Sequence, residues 1–296
     1  MQFNKQAILD MSTPRNLPHK STDPTFALEV LKMDMDNLVK RYEYVLNPEN
    51  SGDTIANYFE TLTTKIFQTA ISRFFLEGMS SNDFIEMLKE SSLAACNYFK
   101  LITNRGKEIQ YTWEGEVLTK VYESTRIHHT AGSTLDLGLK AAIISQQKRH
   151  IECLSNIDLT HIGLHRKDSA FDLRALALQL LCGGGQKNHK VFFDAIEKLP
   201  SPSKNLDAKL MYSDCKTLLA LEKKDTILLA ELIDENLSIH KKMYDNDARN
   251  MRYNLFGLMS IHNLVTLILA NKKGMSVEVS NPYIPHELLT ASIKSI

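Results

Sequence analysis

A chain of 296 residues at 33.6 kDa has room for one large domain or two moderate ones. Its 35 Lys and Arg balance 35 Asp and Glu, which excludes the basic footprint of a dedicated nucleic-acid binder or of a polybasic membrane-surface protein. With only 12 Gly and 8 Pro, it is too poor in turn residues for many short strands joined by tight hairpins, so an all-helical fold is expected.

Residues 1–22 lack the apolar run of a secretory leader and are read as an extension ahead of a helical domain spanning 23–296. Asp23-Pro24 offers a cap and a first-turn proline, and Phe26, Val30, Leu31, Leu38 and Val39 continue at helical spacing to about Leu46. Asp53 starts a second helix through Tyr58, Phe59, Leu62, Ile66, Phe67, Ala70 and Phe74, stopped by Gly78. Ser81-Asn82 starts a third, with Phe84, Ile85, Leu88, Leu93, Ala95 and Phe99 inward, ending before Gly106. Ile109, Tyr111 and Trp113 alternate over 107–113, an extended piece too short to seed a sheet. Helical patterns are predicted again over 114–128, 134–151, 169–182, 189–199, 205–221, 226–242 and 248–272. Short connections force neighbours antiparallel, giving helical hairpins stacked in a bundle or an irregular solenoid-like array. No fixed repeat period emerges, and only a soft boundary falls near 155–168, where periodicity lapses, so one continuous unit is expected.

Four widely spaced cysteines without a CxxC pair fit a reducing cytoplasm better than a disulfide framework or a zinc knuckle. The most apolar stretch, 253–270, carries Asn254, Ser260, His262, Asn263 and Thr266, which are costly in lipid, so a buried helix is expected and no membrane span.

The constellations that could carry chemistry fail in turn. His161 and His165 have the spacing of a helical metal pair, but Ile162 stands where the catalytic Glu of a zinc metalloprotease belongs. His286-Glu287 repeats that start, with Thr290 in place of the second histidine. Asp245-Asn246-Asp247 opens like a calcium loop, then meets Arg249 and Asn250 where an oxygen ligand and the turn glycine belong. Cys182 before three glycines reads as a turn, since no strand precedes it and no GK[ST] follows. His128-His129 reads as the satisfied end of a helix. No catalytic, cofactor-binding or metal-ligating residue is assigned, and no enzyme activity or cofactor is expected.

The helix over 226–242 is more informative. Leu229, Leu232, Ile233 and Leu237 form its apolar face, while Glu231 meets Asp234 and Glu235 at i+3 and i+4, and none of the three has a Lys or Arg three or four residues away on the same helix. Complementary charge raises association rate and specificity. Glu231, Asp234 and Glu235, with Asp245 and Asp247 beyond them, are therefore the candidate partner-binding residues.

The C-terminal third resembles the immunity protein 49 family of bacterial polymorphic-toxin and secretion-system immunity proteins. The resemblance rests on Leu218-Leu219-Ala220-Leu221, the turn at Lys224-Asp225, His240-Lys241-Lys242 and the apolar run from Leu255 to Ala270. It closes on Lys273-Gly274-Met275-Ser276-Val277-Glu278-Val279 and Pro282-Tyr283-Ile284-Pro285-His286-Glu287-Leu288-Leu289. It implies an all-helical, cytoplasmic, non-enzymatic protein that binds and neutralises a cognate toxin domain, with no nucleic-acid or membrane partner. Self-association into a homodimer stays open, and a helical scaffold or regulatory adaptor without a toxin partner is the alternative. The tail itself is read structurally: Gly274 ends a helix, Val277 and Val279 pack in, and Pro282 and Pro285 rigidify a final turn.

Overall fold

The structure, a computed structural model, describes residues 24–125, 130–158, 170–184, 189–202, 205–245 and 255–294. Helix α1 (Pro24–Leu46) buries Leu31, Met35, Leu38, Tyr42 and Val45, a 4-3-4-3 spacing that makes a single inward stripe. Helix α2 (Gly52–Leu76) is apolar on more than one side, with Ile55, Phe59, Leu62, Ile66, Phe67, Ala70, Ile71 and Phe74 fully buried. A helix of that kind has to be surrounded, and α2 packs against α1, α3 (Ser81–Ile102) and α4 (Ala131–Ile144). The starts of α2 and α3 are fixed by Ser51 and Ser80, whose hydroxyls accept from the amides of Thr54 at 3.2 Å and Asp83 at 3.1 Å.

The stretch after α3 corrects the expected helix over 114–128. Strand β1 (Glu108–Trp113) pairs antiparallel with β2 (Glu116–Val121) in a hairpin whose ends match Glu108 with Val121 and Trp113 with Glu116. The reason lies in two residues. Glu114 and Gly115 take φ of 52° and 82°, the pair of positive φ values that joins strands by a two-residue turn of matching twist. The hairpin then buries Tyr111 and Trp113, so the alternation over 107–113 does build a sheet, though a two-stranded one. Phe59 of α2 meets Tyr111 and Trp113 edge-on, each with centroids 5.2 Å apart, and Tyr42 of α1 lies 5.1 Å from Trp113. The hairpin is thus held to the bundle by its inward aromatics.

Further along, the predicted helix over 134–151 is two helices, α4 and α5 (Lys148–Ser155), broken where Gln146 takes φ 55°. Then come α6 (Ala170–Leu181), α7 (His189–Glu197), α8 (Leu206–Lys223) and α9 (Thr226–Asp245). Of the predicted helix over 248–272, residues 248–254 lie outside the described residues, Leu255–Leu258 form a 3₁₀ turn, and α10 (Ile261–Lys272) follows its cap residue Ser260. Gly257 in that turn packs directly under the Tyr244 ring, where a Cβ would sit 2.3 Å away. Gly274, at φ 74°, ends α10, with the Met275 amide donating to the Ala270 carbonyl at 2.9 Å. Val277 and Val279 pack against the core. Beyond them His286–Lys294 form a helix, α11, where the sequence suggested only a rigid turn.

Among the described residues the fold is all-helical apart from the hairpin. Most of its buried apolar residues form one contiguous cluster from Leu38 to Leu288. No helix among the described residues is long and apolar enough to cross a membrane. Residues 1–22, and most of the soft boundary at 155–168, lie outside the described residues.

Close approach of α3, α4 and α5 depends on Gly138, where a Cβ would stand 2.4 Å from that of Ala95 and 3.2 Å from Leu154 Cδ1. In an open helix Gly→Ala gains about 1 kcal/mol. Here overpacking reverses the sign, and Gly138→Ala is expected to destabilise by about 1–3 kcal/mol in urea unfolding. A stabilised variant would mean that the three helices separate without cost.

Candidate functional site

Two features stand out, one on the surface and one beneath it, and α9 carries both. Its inner side buries Leu229, Ile233, Asn236, Leu237, His240 and Tyr244. Its outer side leaves Glu231, Asp234 and Glu235 exposed. Among the described residues no Lys or Arg forms an ion pair with any of these three. Asp245 ends the helix, but its side chain and all of Asp247 lie outside the described residues, so the structure brings together three of the five predicted contact residues.

The sequence reading missed what stands beside them. Ile227 and Leu228, 76% and 39% exposed, open the same helix. Ile227 precedes Glu231 by four residues and Asp234 by seven, while Leu228 precedes Glu231 by three and Glu235 by seven, so all five share a face. The signal was available: two large apolar residues fall on the polar side of an amphipathic helix. Exposed apolar side chains rimmed by polar ones mark interaction surfaces more often than isolated ones do.

Beneath this face, charged side chains from separate helices meet inside the protein. Asp136 and Lys140, four apart on α4, pair at 2.8 Å. Arg174 of α6 donates Nη2 to Asp136 Oδ2 at 2.8 Å and Nη1 to Asp214 Oδ2 of α8 at 2.6 Å. Asn236 of α9 donates to Asp214 Oδ1 at 2.7 Å, and Asn263 of α10 donates to Asn236 Oδ1 at 2.7 Å and to Ser260 Oγ at 3.0 Å. Thr217 gives its hydroxyl proton to the Asp214 carbonyl at 2.7 Å, so it accepts from His262 Nε2 at 2.8 Å. That fixes the imidazole tautomer and leaves Nδ1 as an acceptor.

Burial opposes the charge on both aspartates, but their partners prevail. Arg174 and Lys140 hold Asp136 below the usual carboxylate range, and His262, Arg174 and Lys140 do the same for Asp214. Burial lowers His262 to about 4, so at neutral pH the imidazole is uncharged and Arg174 supplies the standing charge beside Asp214. Burial and the nearby Arg174 also lower the Lys140 ammonium, against the pull of Asp136 and Asp214. A cavity of about 310 Å³ adjoins the network, walled by Leu137, Leu210, Met211, Met243 and Met259, with exposed Asp207 also lining it.

His240 is locked as well. Its Nε2 meets the Gly257 carbonyl at 2.9 Å, and its ring lies 4.6 Å from that of Tyr244 and 4.9 Å from that of Tyr283. The Tyr283 carbonyl in turn accepts from Ser260 at 2.8 Å. The tail Pro282-Tyr283-Ile284 therefore braces α9 and the start of α10.

Residues 79–288 match the immunity protein 49 family. The chain belongs to the immunity protein 49 family. The match runs from just before α3 into α11, so it reaches well beyond the C-terminal third and takes in the whole buried network and the α9 face. No curated protein and no solved structure matches the chain.

The other candidates contribute little. No group of three His, Cys, Asp or Glu side chains that could hold a metal occurs among the described residues. His161, His165, His128 and His129 lie outside them. Burial pushes the Cys182 thiol up to about 12, so it is no activated nucleophile.

The buried imidazole sets a pH dependence with a definite sign. An ordinary histidine titrates near 6.5 in the unfolded chain, whereas His262 titrates at about 4 in the fold. Between those values the unfolded state binds more protons, so stability is complete above pH 6.5 and falls as the pH drops towards 4. Each such proton is worth about 1.4 kcal/mol per pH unit in that window. His150, also lowered to about 4 by burial, adds in the same direction. His262→Gln is expected to flatten the pH dependence of the urea midpoint over pH 4–6.5 by about one proton. An unchanged slope would show that His262 protonates freely in the fold.

Proposed function

We propose that this chain is a bacterial immunity protein that binds and neutralises a cognate toxin domain by stoichiometric association, with no catalytic activity of its own. Family membership over 79–288 carries the reading. On it, neutralisation takes place in the cytoplasm, where a toxin would otherwise act. The contact would be of standard size, about 1,600 Å² in total. No family residue transfers a toxin-contacting role, so the contact surface has to be argued from physics.

The outer face of α9 fits that task best. Ile227 and Leu228 offer an apolar anchor, and Glu231, Asp234 and Glu235 flank it with negative charge that lacks a partner among the described residues. A buried apolar contact supplies affinity, while the acidic rim steers a basic partner and sets its orientation. The inner face is held by the Asp214–Asn236–Asn263 chain and by His240. Such a face is rigid before the partner arrives, which lowers the entropic cost of association.

The test is co-expression with the toxin-domain protein encoded beside this gene in a sensitive host. Protection and co-purification are expected, and their joint absence would sink the reading. Within the complex, Glu231→Lys with Asp234→Lys is expected to slow association by about tenfold at low salt and to flatten its ionic-strength dependence. Ile227→Asp is expected to speed dissociation. If both variants associate and dissociate like wild type while protection persists, the contact lies elsewhere and neutralisation stands.

A further inference from the structure

The cavity beside the buried network is lined like a binding site. It lies between α4, α8, α9 and the start of α10, and its volume of about 310 Å³ is that of a small-ligand pocket. Leu137, Leu210, Met211 and Met243 are half-buried in its wall and Asp207 is exposed, so this side opens to solvent. Asp136, Lys140, Asp214 and His262 are the buried part of the lining. There the hydrogen bonding is unbalanced in one direction. Lys140 and Arg174 both donate to Asp136 Oδ2, and Arg174 donates also to Asp214 Oδ2. Asp136 Oδ1 and His262 Nδ1 meet no donor among the described residues, although the two residues are only 2% and 7% exposed. Both atoms are acceptors, since the His262 proton sits on Nε2 towards Thr217. A buried acceptor left without a donor keeps its full desolvation cost. The charge leans the same way, with the carboxylates of Asp136, Asp207 and Asp214 set against the two cations Lys140 and Arg174.

We propose that this cavity binds a small aliphatic primary amine as its ammonium, which donates to Asp136 Oδ1 and His262 Nδ1 and lays its hydrocarbon stem against Leu137, Leu210 and the methionines. An ammonium carries three donors and no acceptor, so it supplies what both atoms lack. Its single positive charge also cancels the excess carboxylate of the lining. The stem meets Met211, Met243 and Met259, whose unbranched side chains adapt to an apolar guest. Other ligand classes fit less well. A carboxylate or phosphate would be repelled by Asp136, whose second oxygen has no donor, and by Asp207 and Asp214. An alcohol brings one donor and leaves the charge uncancelled. A quaternary ammonium brings charge but no N–H group. Water satisfies the two acceptors, yet it leaves both the charge and the apolar wall unmatched.

Asp136 belongs to α4 and His262 to α10, so the bound ammonium ties these helices together behind the inner side of α9. The outer residues Ile227, Leu228, Glu231, Asp234 and Glu235 take no part in the cavity, and the proposal does not depend on the toxin reading.

The test is a titration of the full-length chain, carbon-13 labelled at its methionine methyls, with n-pentylammonium chloride at neutral pH. The signals of Met211, Met243 and Met259 are expected to shift together and to saturate with a Kd of about 1 mM, within reach of so small a ligand. Those of Met35, Met79 and Met87, buried elsewhere in the core, are expected to stay in place. Pentanol, pentanoate and tetramethylammonium, at matched ionic strength, are each expected to bind at least about tenfold more weakly. Asp207→Asn, a change at an exposed residue, is expected to weaken the pentylammonium several-fold. Leu210→Trp fills the cavity from its half-buried wall without altering a network residue, and is expected to abolish the shifts. Shifts that do not saturate, or that spread evenly over all methionines, would overturn the proposal. So would pentanol or pentanoate binding as tightly as pentylammonium, which would make the cavity merely apolar or an anion site.

Discussion

Arg174 is the hinge pin of the second half of this protein. Its guanidinium reaches Asp136 on one side and Asp214 on the other, at 2.8 and 2.6 Å, and so joins α4, α6 and α8 at one buried point. Burying four charges contributes little net stability, because desolvation offsets most of the Coulomb attraction. What such a network contributes is selectivity. Any sliding of α6 against its neighbours would strand a carboxylate or a guanidinium in the interior, at a cost of several kcal/mol. The buried apolar side chains of the same three helices, Leu139, Leu178 and Leu218 among them, tolerate small shifts far better.

From Asp214 the order passes outward. Asn236 carries it to α9 and Asn263 to α10, while His262 and Thr217 close the chain back onto α8. Helix α9 is therefore fixed on its inner side and open on its outer one. Tyr283, in the tail that carries the family resemblance, packs its ring on His240 and sets the far end of the same helix. The family's closing residues and the exposed acidic face are thus two ends of one mechanical arrangement. The first half is organised differently, by aromatic packing of Tyr42, Phe59, Tyr111 and Trp113 around the hairpin.

How much of this was legible depended on the range of the interaction. Helices α1, α2 and α3 could be read to within about three residues, because apolar spacing and polar helix starts are local signals. The hairpin could not. Its turn begins at Glu114, a residue with no preference for positive φ, and Glu116 to Val121 read as readily as a helix. The break at Gln146 was hidden for the same reason. Helix α11 was hidden behind Pro282 and Pro285, which suggest a turn as readily as a helix start. The acidic residues of α9 were visible as charges without helical partners, yet Ile227 and Leu228 passed unnoticed because a wheel read for its core ignores apolar residues on the other side. The network was the least legible. Asp136 and Lys140 are four apart, but Arg174, Asp214, Asn236 and His262 come from four further segments, and only the fold assembles them.

Native-state hydrogen exchange of Arg174→Met against the wild type tests this coupling most directly. A network centred on Arg174 predicts that amides of α4, α6, α8, α9 and α10 lose protection together, while α1, α2 and the hairpin keep theirs. Loss confined to α6, or uniform loss across all helices, would contradict it.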